Sequence, residues 1–430
     1  MRLNRTMIQW LLFIGGILVI YLREPLLFLE PRIWAEDGSR YYLYAYYFSH
    51  SPLWYKSLLG VHVGYFALWP NITSTIAANL FSVENAALVI TLMAFFAQLI
   101  PLGIIILGKS EYWSTYPKKI IGIFIYLLVP ISNEIWLNTA TIQFFFAFAA
   151  LLILIEPTDN SRQRTWAYRS IIGIAGLTGI ASSPLVPIFA LLTWVSKARE
   201  RLIQTIMLGC CALFQASLLI YASVSATEHT TQLRMGSRDM SLLLYTLWTQ
   251  SVGLLFCGIA WMRSVAAWII ARYNEGSPPL LVATWLGLLI ATILLFGWLA
   301  LRLSARERVV LVGSYASMLG FSFLGALTTN QLDLLVPGAS PRYFWIPNLV
   351  FALLLMANVF NPASGKLRVR ICAILVGIVI LMGGMSYQST LIGSQDWPRW
   401  RSEVALWRAD PQHKLKIWPL GWEITLRRAE

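Results

Sequence analysis

The chain has 430 residues, 57% of them hydrophobic and 12% charged, with a formal net charge of +13. Soluble domains carry about 25% charged residues, so this composition excludes an ordinary soluble protein and predicts an all-α polytopic membrane protein. Cys210, Cys211, Cys257 and Cys372 lie in apolar runs without disulfide or metal-ligand spacing, and there is no phosphate-binding glycine loop or dinucleotide fingerprint, which leaves no sequence basis for redox, zinc or nucleotide-driven chemistry.

A hydrocarbon core of about 30 Å needs roughly 20 apolar residues per helix. The first candidate span, 7–22, follows Arg2 and Arg5, which predicts a cytoplasmic start. Further spans are expected over 86–107, 120–136, 142–155, 171–181, 185–195, 202–221, 280–301, 309–327, 344–360 and 371–387, eleven in all. Five basic triplets lie between them: Lys109/Lys118/Lys119, Arg162/Arg164/Arg169, Lys197/Arg199/Arg201, Arg302/Arg306/Arg308 and Lys366/Arg368/Arg370. The positive-inside tendency puts all five in the cytoplasm, which requires an even number of crossings between successive triplets. That parity splits 171–195 at Ser182-Ser183-Pro184 into two short helices and makes 242–262 interfacial or re-entrant. The high charge then reads as topology, with no nucleic acid implied.

Two long outer segments, 23–85 and 222–279, and a tail over 390–430 remain on the other side. The first contains the aromatic run Tyr41 to Phe48 and the stretch 61–81, both expected as helices lying in the interface. The tail spaces five tryptophans among arginines and glutamates and is expected as a small outer cap on a membrane module of residues 1–389.

The chemistry-bearing residues gather on this outer side. Trp34-Ala35-Glu36-Asp37-Gly38-Ser39 places two carboxylates just beyond the first span, where desolvation raises proton affinity toward the range of a general base. Asp37 is the leading candidate and Glu36 the second, with Arg32 or Arg40 as structural partners and Arg40 also a candidate for substrate binding. Glu134 lies at the outer turn between two spans, where an ionisable group is costly unless paired or functional. Asn138 and Gln143 stand nearby as hydrogen-bonding groups. Arg342-Tyr343, Arg234 and Arg238 offer guanidinium forks suited to phosphate oxygens, and His62 and Tyr65 are further candidates for binding near a phosphate.

In layout, and in Trp34-Ala35-Glu36-Asp37-Gly38 specifically, the chain resembles the GT-C superfamily of membrane glycosyltransferases, in particular bacterial members that modify surface polysaccharides or lipids. The resemblance implies an inverting transfer of a sugar from a polyprenyl-phosphate donor to a glycan or lipid acceptor at the outer face of the bacterial inner membrane. It implies Asp37 as general base, Glu134 as the second acid and Arg342-Tyr343 at the donor phosphate. No cofactor is expected and no ligand set for a metal is apparent, although a divalent ion bridging Asp37 and phosphate is compatible with the chemistry. The rival expectation is a transporter or lipid flippase, for which the broken helices around Ser182-Ser183-Pro184 would build a midplane site.

Overall fold

The computed structural model describes residues 4–49, 51–130, 132, 134–159, 161–225, 238–276, 278–328, 330–387 and 398–427. Arg234 lies outside them. The described chain is almost entirely helical. Eight of its helices are long and apolar enough to cross a membrane, and two shorter apolar helices accompany them. This is an all-α polytopic membrane architecture.

In chain order, α1 (Arg5–Arg23) leads into a segment carrying α2 (Leu43–Phe48) and α3 (Leu68–Leu80). The bundle continues with α4 (Val83–Leu107), α5 (Tyr116–Leu128), α6 (Ile142–Ile155), α7 (Arg162–Leu177), α8 (Val186–Ser196) and α9 (Arg199–Val224). It closes with α10 (Ser241–Asn274), α11 (Pro278–Ala300), α12 (Ala305–Gly325), α13 (Pro341–Phe360) and α14 (Lys366–Met385). Helices α6 and α13 form the centre, joined by a buried aromatic cluster of Phe145, Phe148 and Trp345, whose rings also meet Tyr126 and Trp136. Helix α11, by contrast, turns only apolar surface outward, as a lipid-facing span does.

Cations from four of the basic triplets meet at one end of this bundle and cap helix C-termini. Lys119 donates to the carbonyls of Ile105 and Gly108, and Arg164 to that of Leu107. Arg201 and Arg306 share the carbonyls at the end of α6, including that of Glu156. Cations at the carbonyl end of a helix satisfy its orphan acceptors and oppose its negative dipole end. The positive bias in the sequence is thus also a capping scheme.

Two local departures from the sequence reading, and one reversal within a stretch expected as interfacial or re-entrant, have physical causes. The expected span 120–136 stops as a helix at Leu128, two residues before Pro130, whose ring disfavours helical geometry in the preceding residue; residues 134–141 form turns and irregular backbone instead. The expected interfacial helix over 61–81 opens instead as a hairpin, β1 (Val61–His62) and β2 (Tyr65–Phe66), before α3 begins. Its turn residues Val63 and Gly64 have φ of 57° and 78°, the double positive φ of a tight hairpin turn. A β-branched residue is strained there.

The third is α10. A straight 34-residue helix would be about 51 Å long, yet Tyr273 Oη donates to Asp239 Oδ2 at 2.9 Å. The chain folds back at Gly258, whose φ of 78° and ψ of 172° lie in a region open to glycine. Both limbs are tied to the turn before α13, through Gln250 to the Leu334 and Val336 carbonyls and through Arg263 to that of Pro337. Helix α10 is therefore a hairpin that returns to the end from which it started.

The tail forms α15 (Trp400–Ala409) and a hairpin of β3 (Leu415–Ile417) and β4 (Trp422–Ile424). It shares a core with the segment that follows α1: Ile33, Tyr42 and Ala45 are buried with Trp400, Trp407 and Ile417. Trp400 Nε1 donates to the Val83 carbonyl at 2.7 Å. The ion pairs Arg399–Glu30 and Arg408–Glu84 lie at the exposed rim, where such pairs add little stability.

Candidate functional site

The acidic motif is fixed from two sides. The Ala35 amide donates to the Trp418 carbonyl and the Trp418 amide to the Ile33 carbonyl, so the cap adds a short parallel bridge directly before Glu36. A π-helical turn, Asp37–Tyr42, then leads into α2. Gly38 does not adopt a left-handed conformation. Its role is close approach, since a Cβ there would press on Ile417 and Ile33.

Asp37 has no solvent exposure. Thr139 donates to it twice, from its amide to Oδ2 at 2.9 Å and from its hydroxyl to Oδ1 at 2.5 Å. Burial pushes the carboxyl up to about 7, with the Thr139 hydrogen bonds opposing the rise and the Glu36 charge adding to it. A carboxyl in this state is half protonated near neutrality, the condition for efficient proton exchange.

Thr139 belongs to the chain that follows α5, whose described residues a second set of contacts holds in place. The Arg23 guanidinium, at the end of α1, donates to Ser132 Oγ at 3.1 Å and to the Leu127 carbonyl. It also stacks against the rings of Trp136 and Tyr387, 4.5 and 4.7 Å from their centroids. Asn138 serves the same segment from within: its amide donates to the Glu134 carbonyl, and its Oδ1 accepts from the Thr141 amide and hydroxyl. The expected binding role of Asn138 thus meets a side chain already committed to its own loop.

Arg342, at the first turn of α13, reaches across to both remaining acids. Its Nη1 stands 2.9 Å from Glu134 Oε1 and 3.9 Å from Glu36 Oε1. Burial raises the proton affinity of Glu134, and the Arg342 charge opposes that rise. Glu36, Arg342, Tyr343, Tyr65 and Gln143 line a narrow cavity with Tyr41 and the strained Val63. Gln143 Nε2 donates to Tyr65 Oη at 3.3 Å. The cavity holds about 30 Å³, enough for a water or two but not for a sugar. Asp37 is not among the residues that line the cavity, although its neighbour Glu36 is.

The other candidates are dispersed around it. Arg238 donates to the Ala326 carbonyl, one residue before the cavity-lining Leu327. Arg40 is exposed and does not line the cavity. His62 packs edge-on to Tyr41 and Tyr44 at 5.0 and 5.2 Å, and burial lowers its affinity for a proton to about 4, so it is neutral at physiological pH. Among the described residues, no three His, Cys, Asp or Glu side chains come together as a metal-holding group. Thr139 and Tyr41 were not legible as site residues: one is a neutral side chain in a loop, and the other is hidden in an aromatic run.

Compared with protein-family models, curated proteins and solved structures, the chain matches none of them.

Proposed function

We propose that the protein is an inverting glycosyltransferase of the GT-C type, moving a sugar from a polyprenyl-phosphate donor to a hydroxyl of a glycan or lipid acceptor. The observation that carries this reading is the union at one end of the bundle of a buried carboxyl poised near neutrality, Asp37, with a guanidinium set between two acids, Arg342. Inverting transfer needs those two elements: a base for the acceptor hydroxyl and a cation for the departing phosphate. A covalent nucleophile is not required.

In this mechanism Asp37 accepts the proton and Arg342 balances the leaving phosphate. The phosphate displaces Glu36, the more distant partner of Arg342, while Glu134 keeps hold of the guanidinium. Because the cavity is too small for a sugar and Asp37 is buried outside its lining, substrate entry must move the lining around Glu36 and uncover Asp37. We further propose eleven crossings, with the α10 hairpin not counted, the basic end in the cytoplasm and the acidic end outside a bacterial inner membrane. The clustering of all five triplets away from the acidic site supports that orientation.

The test is transfer of label from a panel of radiolabelled polyprenyl-phosphate sugars by the purified full chain. Asp37→Asn should lower transfer by about 10²–10⁴-fold, the usual scale of general-base catalysis, while donor binding persists. Loss of transfer in Glu36→Gln with retention in Asp37→Asn would exchange the two roles. Parent rates in both folded variants would sink the glycosyltransferase reading. The transporter reading draws on the broken α10 and its buried Thr249, Gln250 and Ser251; movement of a lipid-linked sugar across proteoliposomes without covalent transfer would favour it.

A further inference from the structure

A second, larger cavity of about 490 Å³ opens at the opposite end of the bundle, between the segment after α4, the start of α12 and the end of α13. That volume falls in the range of small-molecule sites, about 300–1,000 Å³. It is separate from the acidic cavity: α13 runs from Arg342 to Phe360, about 27 Å at 1.5 Å per residue.

The lining of this cavity is divided. Ile155, Met356 and Phe360 supply apolar surface, while three cations from three different elements supply charge: Lys109 after α4, Lys118 on α5 and Arg306 on α12. Glu111 and Glu307 also line it. The Glu307 carboxylate accepts the Ser304 amide at 2.8 Å and closes the start of its own helix, and Glu111 is exposed. Lys118 donates to the Glu111 carbonyl at 2.7 Å and to Ser114 Oγ at 3.2 Å. Arg306 reaches the Ile155 carbonyl at 3.3 Å. The Lys109 ammonium is exposed and has no bonded partner among the described residues.

Carbonyl contacts do not cancel the charge of these groups, and set against Glu111 and Glu307 the lining keeps a formal excess of one positive charge. The cavity lies where central helices α6 and α13 end, which is the level of lipid headgroups if those helices traverse the bilayer. A ligand matching both walls bears a phosphate anion on an apolar body. We propose that this cavity binds the phosphate of an anionic membrane phospholipid, with Lys109, Lys118 and Arg306 around the phosphate oxygens and the apolar wall against the glycerol and first acyl carbons. The site is independent of the transfer chemistry at the other end.

Equilibrium binding of radiolabelled dihexanoylphosphatidylglycerol to the delipidated full chain in detergent tests it, with dihexanoylphosphatidylcholine and inorganic phosphate as competitors. Saturable binding should weaken about fivefold in Lys109→Gln and about 25-fold in Lys109→Gln/Arg306→Gln, the scale of one interfacial charge each. Both competitors should be at least tenfold weaker. Lys109→Gln removes an exposed, unbonded ammonium and decides the matter if the double variant fails to fold. Absence of saturable binding, or unchanged affinity in Lys109→Gln, would overturn the site. Phosphatidylcholine competing equally would overturn recognition of the anion, and inorganic phosphate competing equally would reassign the cavity to a soluble phosphate.

Discussion

Asp37 ties the chemistry of the site to its stability. Its carboxyl has an ordinary value near 3.8 and is raised to about 7 in the fold, so the folded state holds a proton that the unfolded chain has released between those two values. Its contribution is fully present below the unfolded value and is lost as pH rises through about 7. Asparagine can accept from the Thr139 amide and donate to its hydroxyl without any charge. Thermal melts of Asp37→Asn in detergent should therefore show a smaller loss of stability between pH 5 and pH 8 than the parent, with the variant more stable at pH 8 by on the order of a few kcal/mol. Parallel pH slopes would mean that Asp37 titrates elsewhere. Arg342 gives the second residue-scale expectation. Arg342→Lys keeps the charge but loses the fork between Glu36 and Glu134, so donor affinity should fall by about tenfold; unchanged affinity would move the phosphate to another cation. The acids and Arg342 were legible because ionisable groups at a membrane edge are costly. Their pairing was not, since Glu134 and Arg342 lie 208 positions apart, and Thr139 carries no charge to mark it.

Helix α10 illustrates how an element can be half readable. Its length and hydropathy match a span, and only the parity of the basic triplets argued against a simple crossing. The point of reversal was hidden, because Gly253, Gly258 and Gly276 are equally plausible breaks in sequence and only the backbone distinguishes them. Gly258 takes positive φ with extended ψ, so Gly258→Ala should destabilise the fold by roughly 1–3 kcal/mol through strain at that residue. Gly287→Ala, in the interior of α11 where a Cβ meets open space, should be neutral or slightly stabilising. Equal melting temperatures for the two variants would contradict the hairpin geometry. The end of α5 teaches a related lesson: Pro130 was a visible stop signal, masked by the apolar run on both sides of it. The irregular segment it starts is the one that delivers Glu134 and Thr139.

At the scale of the whole molecule, two chemically distinct ends are joined by a buried centre. The basic end caps helices and the acidic end holds Asp37 and the smaller cavity, so their placement across a membrane can be read with single cysteines in a background lacking the four native ones. A cysteine at the exposed position 401 should react with an impermeant maleimide from outside, and one at the exposed position 366 only after the membrane is opened. External labelling at 366 would reverse the orientation. The helical class and the two-ended charge distribution were plain in composition and spacing, which are summed over hundreds of residues. The joining of the cap to the acidic motif depends on a few backbone bonds between distant positions, and no local pattern announces it.

Those few bonds set an order of events during synthesis. Residues 33 to 38 are made before all but the first of the membrane helices, yet the strand that flanks them contains Trp418 and is made after those helices. The acidic loop must wait through insertion of the whole bundle before its neighbour arrives. A chain stopped short of Trp418 would keep Asp37, Arg342 and the described membrane helices while leaving Ala35 without its backbone partner, so the acidic loop gains its flanking strand only once the segment carrying Trp418 has reached it.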